Sequence, residues 1–117
     1  DVPPPEIRGN SRAHFRTVRS INRQRREIAK LLTLDRMQET GIKSLKPRVL
    51  VSYHFYNTRE IDLDNLIIGM KPTLDGIVDS GLIEDDKPSS VKLAAEFSLC
   101  KKGEKKTIIK IKEINND

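Results

Sequence analysis

The apolar positions of the chain change their spacing several times, and each change predicts an element. Over residues 12–34 they recur at Phe15, Val18, Ile21, Ile28, Ala29, Leu31 and Leu32. That is helical spacing, with a gap near Arg25, and Ser11 stands where an N-cap belongs. Residues 35–45 mix polar and apolar positions around Gly41 and read as a turn or loose connection. Over 48–56 the pattern alternates: Val49, Val51, Tyr53 and Phe55 share one face, Leu50, Ser52, His54 and Tyr56 the other. This predicts a strand, with His54 a sheet residue rather than a ligand.

Residues 66–80 are helical by content but interrupted by Gly69 and Pro72. Pro72 either opens a new helix or kinks one longer helix. Leu74, Ile77 and Val78 form the apolar stripe, and Gly81 ends it. Val91, Leu93, Ala95, Phe97 and Leu99 then alternate with polar or small residues. Lys101-Lys102-Gly103-Glu104 is a turn, and 107–113 a return strand with Ile109 and Ile111 on one face. The order predicts one small α+β domain over 1–117: a mixed sheet with a C-terminal β-hairpin, packed against two helices. The chain opens on Asp1-Val2-Pro3-Pro4-Pro5 rather than Met, so this is not read as a natural start, and a further N-terminal strand is an open expectation.

Composition narrows the class. At 117 residues and 36% hydrophobic content, the chain supports a real but modest core. It contains no apolar run long enough to span a membrane and no signal peptide, so no membrane partner is expected. A single cysteine, Cys100, excludes an internal disulfide and a cysteine-based zinc site. It suits a reducing, cytoplasmic compartment.

Net charge is +5, but its distribution says more. Between positions 8 and 30, eight Lys or Arg residues accompany one acid, Glu27. Arg8, Arg12 and His14 stand at the mouth of the first helix, and Arg16, Arg19 and Arg23 lie on its polar face with Arg26 and Lys30. His14 reads as a phosphate contact or helper base, or as a capping or packing residue, and the plain reading is preferred over direct catalysis. The centre is acidic, and the end is basic again through Lys101, Lys102, Lys105, Lys106, Lys110 and Lys112. Basic flanks around an acidic centre suit a phosphodiester polymer, with cations on the backbone and carboxylates on a metal. A plain lysine-rich surface explains the tail alone equally well.

The acidic centre is residues 59–86, which carry Asp62, Asp64, Asp75, Asp79, Asp85 and Asp86. If the chain is extended there, Asp62 and Asp64 point to one face, roughly 7 Å apart. Paired carboxylates repel unless a cation joins them, and a hard divalent ion takes oxygen ligands. A strand–helix–strand return could bring Asp85-Asp86 beside the first pair. The plain alternatives are an N-cap for Asp62 or for Asp64-Asn65, and an ordinary turn for Asp85-Asp86 before Lys87-Pro88. Either pair alone favours these; both together, flanking one apolar helix, favour a metal site.

The run D-L-D-N, a lysine, L-D-G-I-V-D-S-G-L-I and then E-D-D resembles the signature of the RusA-type Holliday junction resolvases. The proline-rich start, Asn10, Arg12 and His14 before a basic helix, and V-K-L after Asp86 follow in the same order. The resemblance covers nearly the whole chain. The chain departs from it in one place: the lysine one helical turn after Asp-Asn is Ile68 here, and a three-residue insertion moves the lysine to Lys71. The resemblance implies a homodimeric, structure-selective endodeoxyribonuclease cutting four-way junctions in recombination and repair, with ligatable 5′-phosphate products. It implies Asp62, Asp64 and Asp86 as ligands of Mg²⁺, for which Mn²⁺ substitutes, with Lys71 stabilising phosphoryl charge. Asp75, Asp85 and Asn65 would surround them. The competing expectation is a non-catalytic nucleic-acid-binding module with a degenerate site, supported by the insertion before Lys71.

Overall fold

The computed structural model describes residues 15–114, with side chains from residue 20 onward. Helix α1 (Phe15–Thr40) is followed by strand β1 (Val49–Asn57), helices α2 (Leu63–Gly69) and α3 (Lys71–Asp79), and strands β2 (Val91–Leu99) and β3 (Lys106–Glu113). This is a small α+β fold built on a mixed three-stranded sheet.

β1 is the central strand. It pairs with β2 in parallel, Val49 opposite Val91 and Phe55 opposite Phe97. It pairs with β3 antiparallel, Val51 opposite Ile111 and Tyr53 opposite Ile109. Parallel neighbours need a crossover, and α2 and α3 supply it. The expected C-terminal hairpin is therefore corrected: β2 and β3 are consecutive but lie on opposite sides of β1. Residues 100–105 carry the chain across the end of β1, about 10 Å for two strand spacings. Pairing on both edges satisfies the backbone of the most buried strand, which a β2–β3 hairpin would leave half open.

The alternation along β1 becomes a two-sided sheet. Val49, Val51, Tyr53 and Phe55 are buried with Leu66, Met70, Leu74, Ile77, Leu82, Ile83 and Val91 in one core. Burial pushes the Tyr53 hydroxyl up to about 12. The even-numbered side chains of β1 take no part in that core and are only half-buried.

The α1 helix docks on α3 rather than lying across the sheet. The contact depends on Gly76: a Cβ there would stand 2.2 Å from the Arg26 carbonyl oxygen and 2.8 Å from the Ala29 Cβ. Beside it, Arg26 grips Asp79 with two hydrogen bonds, Nε to Oδ2 at 2.6 Å and Nη2 to Oδ1 at 2.8 Å. The pair holds the Asp79 carboxyl below its usual range. Of the described part of the expected α1 stripe, Ala29 is buried and Ile21 half-buried, while Ile28, Leu31 and Leu32 remain exposed. The helix also runs six residues further than its apolar pattern predicts, to Thr40, because the residues after Leu34 are mostly good helix formers. Gly41, at φ 74°, ends it.

Candidate functional site

The acidic centre begins at α2. Asp62 occupies the N-cap position with an extended backbone (φ −55°, ψ 127°) but makes no capping hydrogen bond with its side chain. Its carbonyl accepts the first helical bond, from Leu66 N–H at 3.2 Å. Asp64 is already in the first helical turn, and its Oδ1 accepts the Asn65 N–H at 3.0 Å. This corrects the extended reading of the segment. Once Leu63 turns helical, residues two apart no longer share a face. The helix forms here because it buries Leu66 against the sheet. Both carboxylates are exposed, and Asn65 is half-buried.

The next helix resolves the two readings of Pro72. Met70 both closes α2 and precedes α3, and Pro72 lies in the first turn of α3, where its missing N–H costs nothing. Lys71 is thus the first residue of α3. Its ammonium reaches Asp75 Oδ1 at 3.0 Å, one turn along. It also donates to Asp86 Oδ2. Asp86 arrives by a return of the chain: Gly81 turns at φ 85°, and Leu82 and Ile83 anchor the segment in the core. Asp85 then accepts the Lys87 N–H at 2.9 Å, an Asx turn that presents Asp86 to Lys71.

The electrostatics follow from this triad. The hydrogen bond from Lys71 holds the Asp86 carboxyl below its usual range. The bonds to Asp86, then to Asp75, raise the Lys71 ammonium above its usual value. Lys71 is largely exposed, so screening keeps the pairing worth little as stability. Its value is positional: a cation is held at the start of a helix by two carboxylates from different segments.

The sequence-predicted residues therefore divide. Lys71, Asp75 and Asp86 are brought together; Asp62 and Asp64 stand at the start of α2 and Asp85 stabilises a turn. Among the described residues, no group of three or more His, Cys, Asp or Glu side chains is arranged to hold a metal ion. The expected Mg²⁺ ligands Asp62, Asp64 and Asp86 are all oxygen donors, but they are not gathered into such a group. On the basic flank, Arg23 is exposed. Arg16 and Arg19 fall within α1, but their side chains, like Arg8, Arg12 and His14 entirely, lie outside the description. Arg26, counted with that flank, is committed to Asp79.

Sequence reasoning passed over two features. Gly76 and Ala29 form the α1–α3 contact, for which a glycine inside a helical pattern was the available signal. His54 and Tyr56 stack at 4.2 Å with 8° between their planes on the outer sheet face, and their i, i+2 spacing on a strand was the signal for that.

No helix among the described residues is long and apolar enough to cross a membrane. Compared with protein-family models, curated proteins and solved structures, the chain has no match.

Proposed function

We propose that this protein is a Mg²⁺-dependent, structure-selective endodeoxyribonuclease that cuts branched DNA of the four-way-junction type, acting as a homodimer. The observation that carries the reading is the meeting of Lys71 with Asp75 and Asp86 at the start of α3. A lysine held between carboxylates is a cation kept in place for a phosphate and released to it as phosphoryl charge develops. Asp75, one helical turn along, keeps the ammonium aimed while Asp86 exchanges partners. The neighbouring N–H groups of α3 add to the attraction for a phosphate.

Asp62, Asp64 and Asp86 are the residues that would hold the metal, which when bound supplies a more acidic water and a polarised phosphate. The basic residues of the first helix hold the DNA backbone. The sequence resemblance to junction resolvases and the basic–acidic–basic charge order support the same reading.

A second reading, a nucleic-acid-binding module without catalysis, is favoured by one observation: the described side chains gather no three carboxylates, and Asp86 is neutralised by Lys71. Asp64→Asn separates the two. Under the first reading it binds a synthetic four-way junction like the wild type and loses Mg²⁺-dependent cleavage. Equal cleavage by variant and wild type at limiting Mg²⁺ removes Asp64 from the ligand set.

A further inference from the structure

The helices cover one face of the sheet, and the other face has a composition of its own. Register gives its members. From β1 come Leu50, Ser52, His54 and Tyr56; from β2 their partners Lys92, Ala94, Glu96 and Ser98; from β3 Lys112, Lys110, Ile108 and Lys106. Four lysines thus surround the central strand, against one carboxylate, Glu96, and all five are exposed. On β3 the lysines lie on one side of the strand: Lys110 and Lys112 are two positions apart, about 6.6 Å, and Lys106 lies beyond Ile108, about 13 Å from Lys110.

Two aromatic rings lie in the middle. His54 and Tyr56 stack nearly parallel. The imidazole is held by Ser98, Nε2 to Oγ at 2.7 Å, while Nδ1 faces Glu96 Oε1 and the Tyr56 hydroxyl, each at 3.5 Å. The stack is therefore formed before any ligand arrives. Lys106, opposite Tyr56 on β3, holds its ammonium over the Tyr56 ring, 5.0 Å from the ring centre, so His54 and Lys106 both cover Tyr56 before any ligand binds. At that end the face opens into a cleft of about 780 Å³ lined by Tyr56, Leu99, Cys100 and residues 101 and 103–106. Lys101, Lys105 and Lys106 outnumber Glu104 there.

We propose that this outer sheet face, with the basic cleft at its Tyr56 end, binds single-stranded nucleic acid. The Lys106 ammonium moves from the Tyr56 ring to a phosphate, a base takes its place on the His54–Tyr56 stack, and further phosphates follow Lys110 and Lys112. The charge is of the right sign, the lysines are arranged in a line, and the rings are locked against the sheet. These are the elements of a sequence-tolerant single-strand platform. A duplex would engage the lysines alone, since its bases are already stacked on one another. The inference goes beyond the proposed nuclease and does not rest on it, because it invokes neither the acidic centre nor a metal.

The chain supplies its own probe. It has two tyrosines and no tryptophan, and Tyr53 is buried in the core, so a ligand that changes tyrosine emission by contact does so at Tyr56. The protein is titrated in EDTA against an end-labelled oligothymidylate of about 12 nucleotides, a length within the site sizes of such platforms; anisotropy of the label reads binding for every variant and for the duplex, and tyrosine emission reads ring contact in the wild type. Binding is expected to quench the emission, and the matching duplex to bind more weakly without quenching. Tyr56→Leu is expected to weaken single-strand binding by roughly ten-fold, whereas Tyr56→Phe, which keeps the ring, binds like the wild type. Lys110→Gln with Lys112→Gln is expected to flatten the salt dependence by about 0.7 per lost phosphate contact. This double variant leaves the core untouched and carries the test if Tyr56→Leu does not fold. Failure to bind the single strand overturns the inference. So does a duplex that binds as well as the single strand, wild-type affinity of Tyr56→Leu, or an unchanged salt slope in the lysine variant. Because the titration contains no metal and reads no cleavage, its failure leaves the nuclease proposal standing, and loss of cleavage leaves this one standing.

Discussion

Gly76→Ala tests the packing on which the position of α3, and with it Lys71 and Asp75, depends. By helix propensity alone, replacing a mid-helix glycine with alanine stabilises by about 1 kcal/mol. The structure demands the opposite. The new Cβ would meet the Arg26 carbonyl oxygen at 2.2 Å, the Ala29 Cβ at 2.8 Å and the Lys30 nitrogen at 3.0 Å. Two of these are backbone atoms of α1, which cannot rotate away as a side-chain end can. The helix must retreat by about an ångström, loosening the burial of Ala29 and the two-point grip of Arg26 on Asp79. Overpacking of this kind costs roughly 1–3 kcal/mol, and a backbone clash belongs at the upper end. Set against the propensity gain, the net expectation is a destabilisation of about 2 kcal/mol. For a domain of this size that lowers Tm by roughly 8 °C. Urea and thermal unfolding followed by circular dichroism measure it. A variant as stable as the wild type, or more stable, would refute the α1–α3 contact described above.

Other expectations concern the site. Lys71→Ala should slow single-turnover cleavage of a four-way junction by ~10²–10³, the usual cost of one transition-state contact, with junction binding largely kept; a wild-type rate would transfer the role to another cation such as Arg59. The Asp86 carboxyl is held low chiefly by its bond from Lys71. Its contribution is therefore present above the unfolded-state carboxylate pKa and fades as pH falls through the lower folded value. Carboxyl titration by NMR should show the Asp86 midpoint rising in Lys71→Met, and an unchanged midpoint would deny the pair in solution. Lys71, raised by the same bond, contributes in the opposite limb: fully below its unfolded pKa, and lost as pH rises through the folded one.

Much of the fold was legible where local pattern and tertiary packing agree. The alternation at Val49, Val51, Tyr53 and Phe55 is the core face of β1 because nothing competes with it. Pro72 opens α3 where its fixed φ is at home, and Gly81 leaves α3 at positive φ. The exchange of a hairpin for two strands flanking β1 was not legible, since alternation along 91–99 and 106–113 is the same whichever neighbour each strand takes. The end of α1 was missed because polarity was read as irregularity, although Arg36, Met37, Gln38 and Glu39 all favour helix.

At the site, the Lys71–Asp75 pair is a local i, i+4 relation that the chain displays directly. The Lys71–Asp86 contact needed the return through Leu82 and Ile83, which the E-D-D run only suggests. The shared face drawn for Asp62 and Asp64 failed because it assumed extended backbone where burial of Leu66 makes helix.

Metal-dependent cleavage is tested on the branched substrate itself. Purified protein is incubated with a synthetic four-way junction labelled on each strand, with Mg²⁺ and with EDTA, and the products are resolved on a denaturing gel. A metal-dependent junction nuclease gives strand cuts near the branch point in Mg²⁺, none in EDTA, and none on a linear duplex of the same sequence. A junction that is bound but uncut in Mg²⁺ and in Mn²⁺ would contradict it and leave the protein a nucleic-acid-binding module.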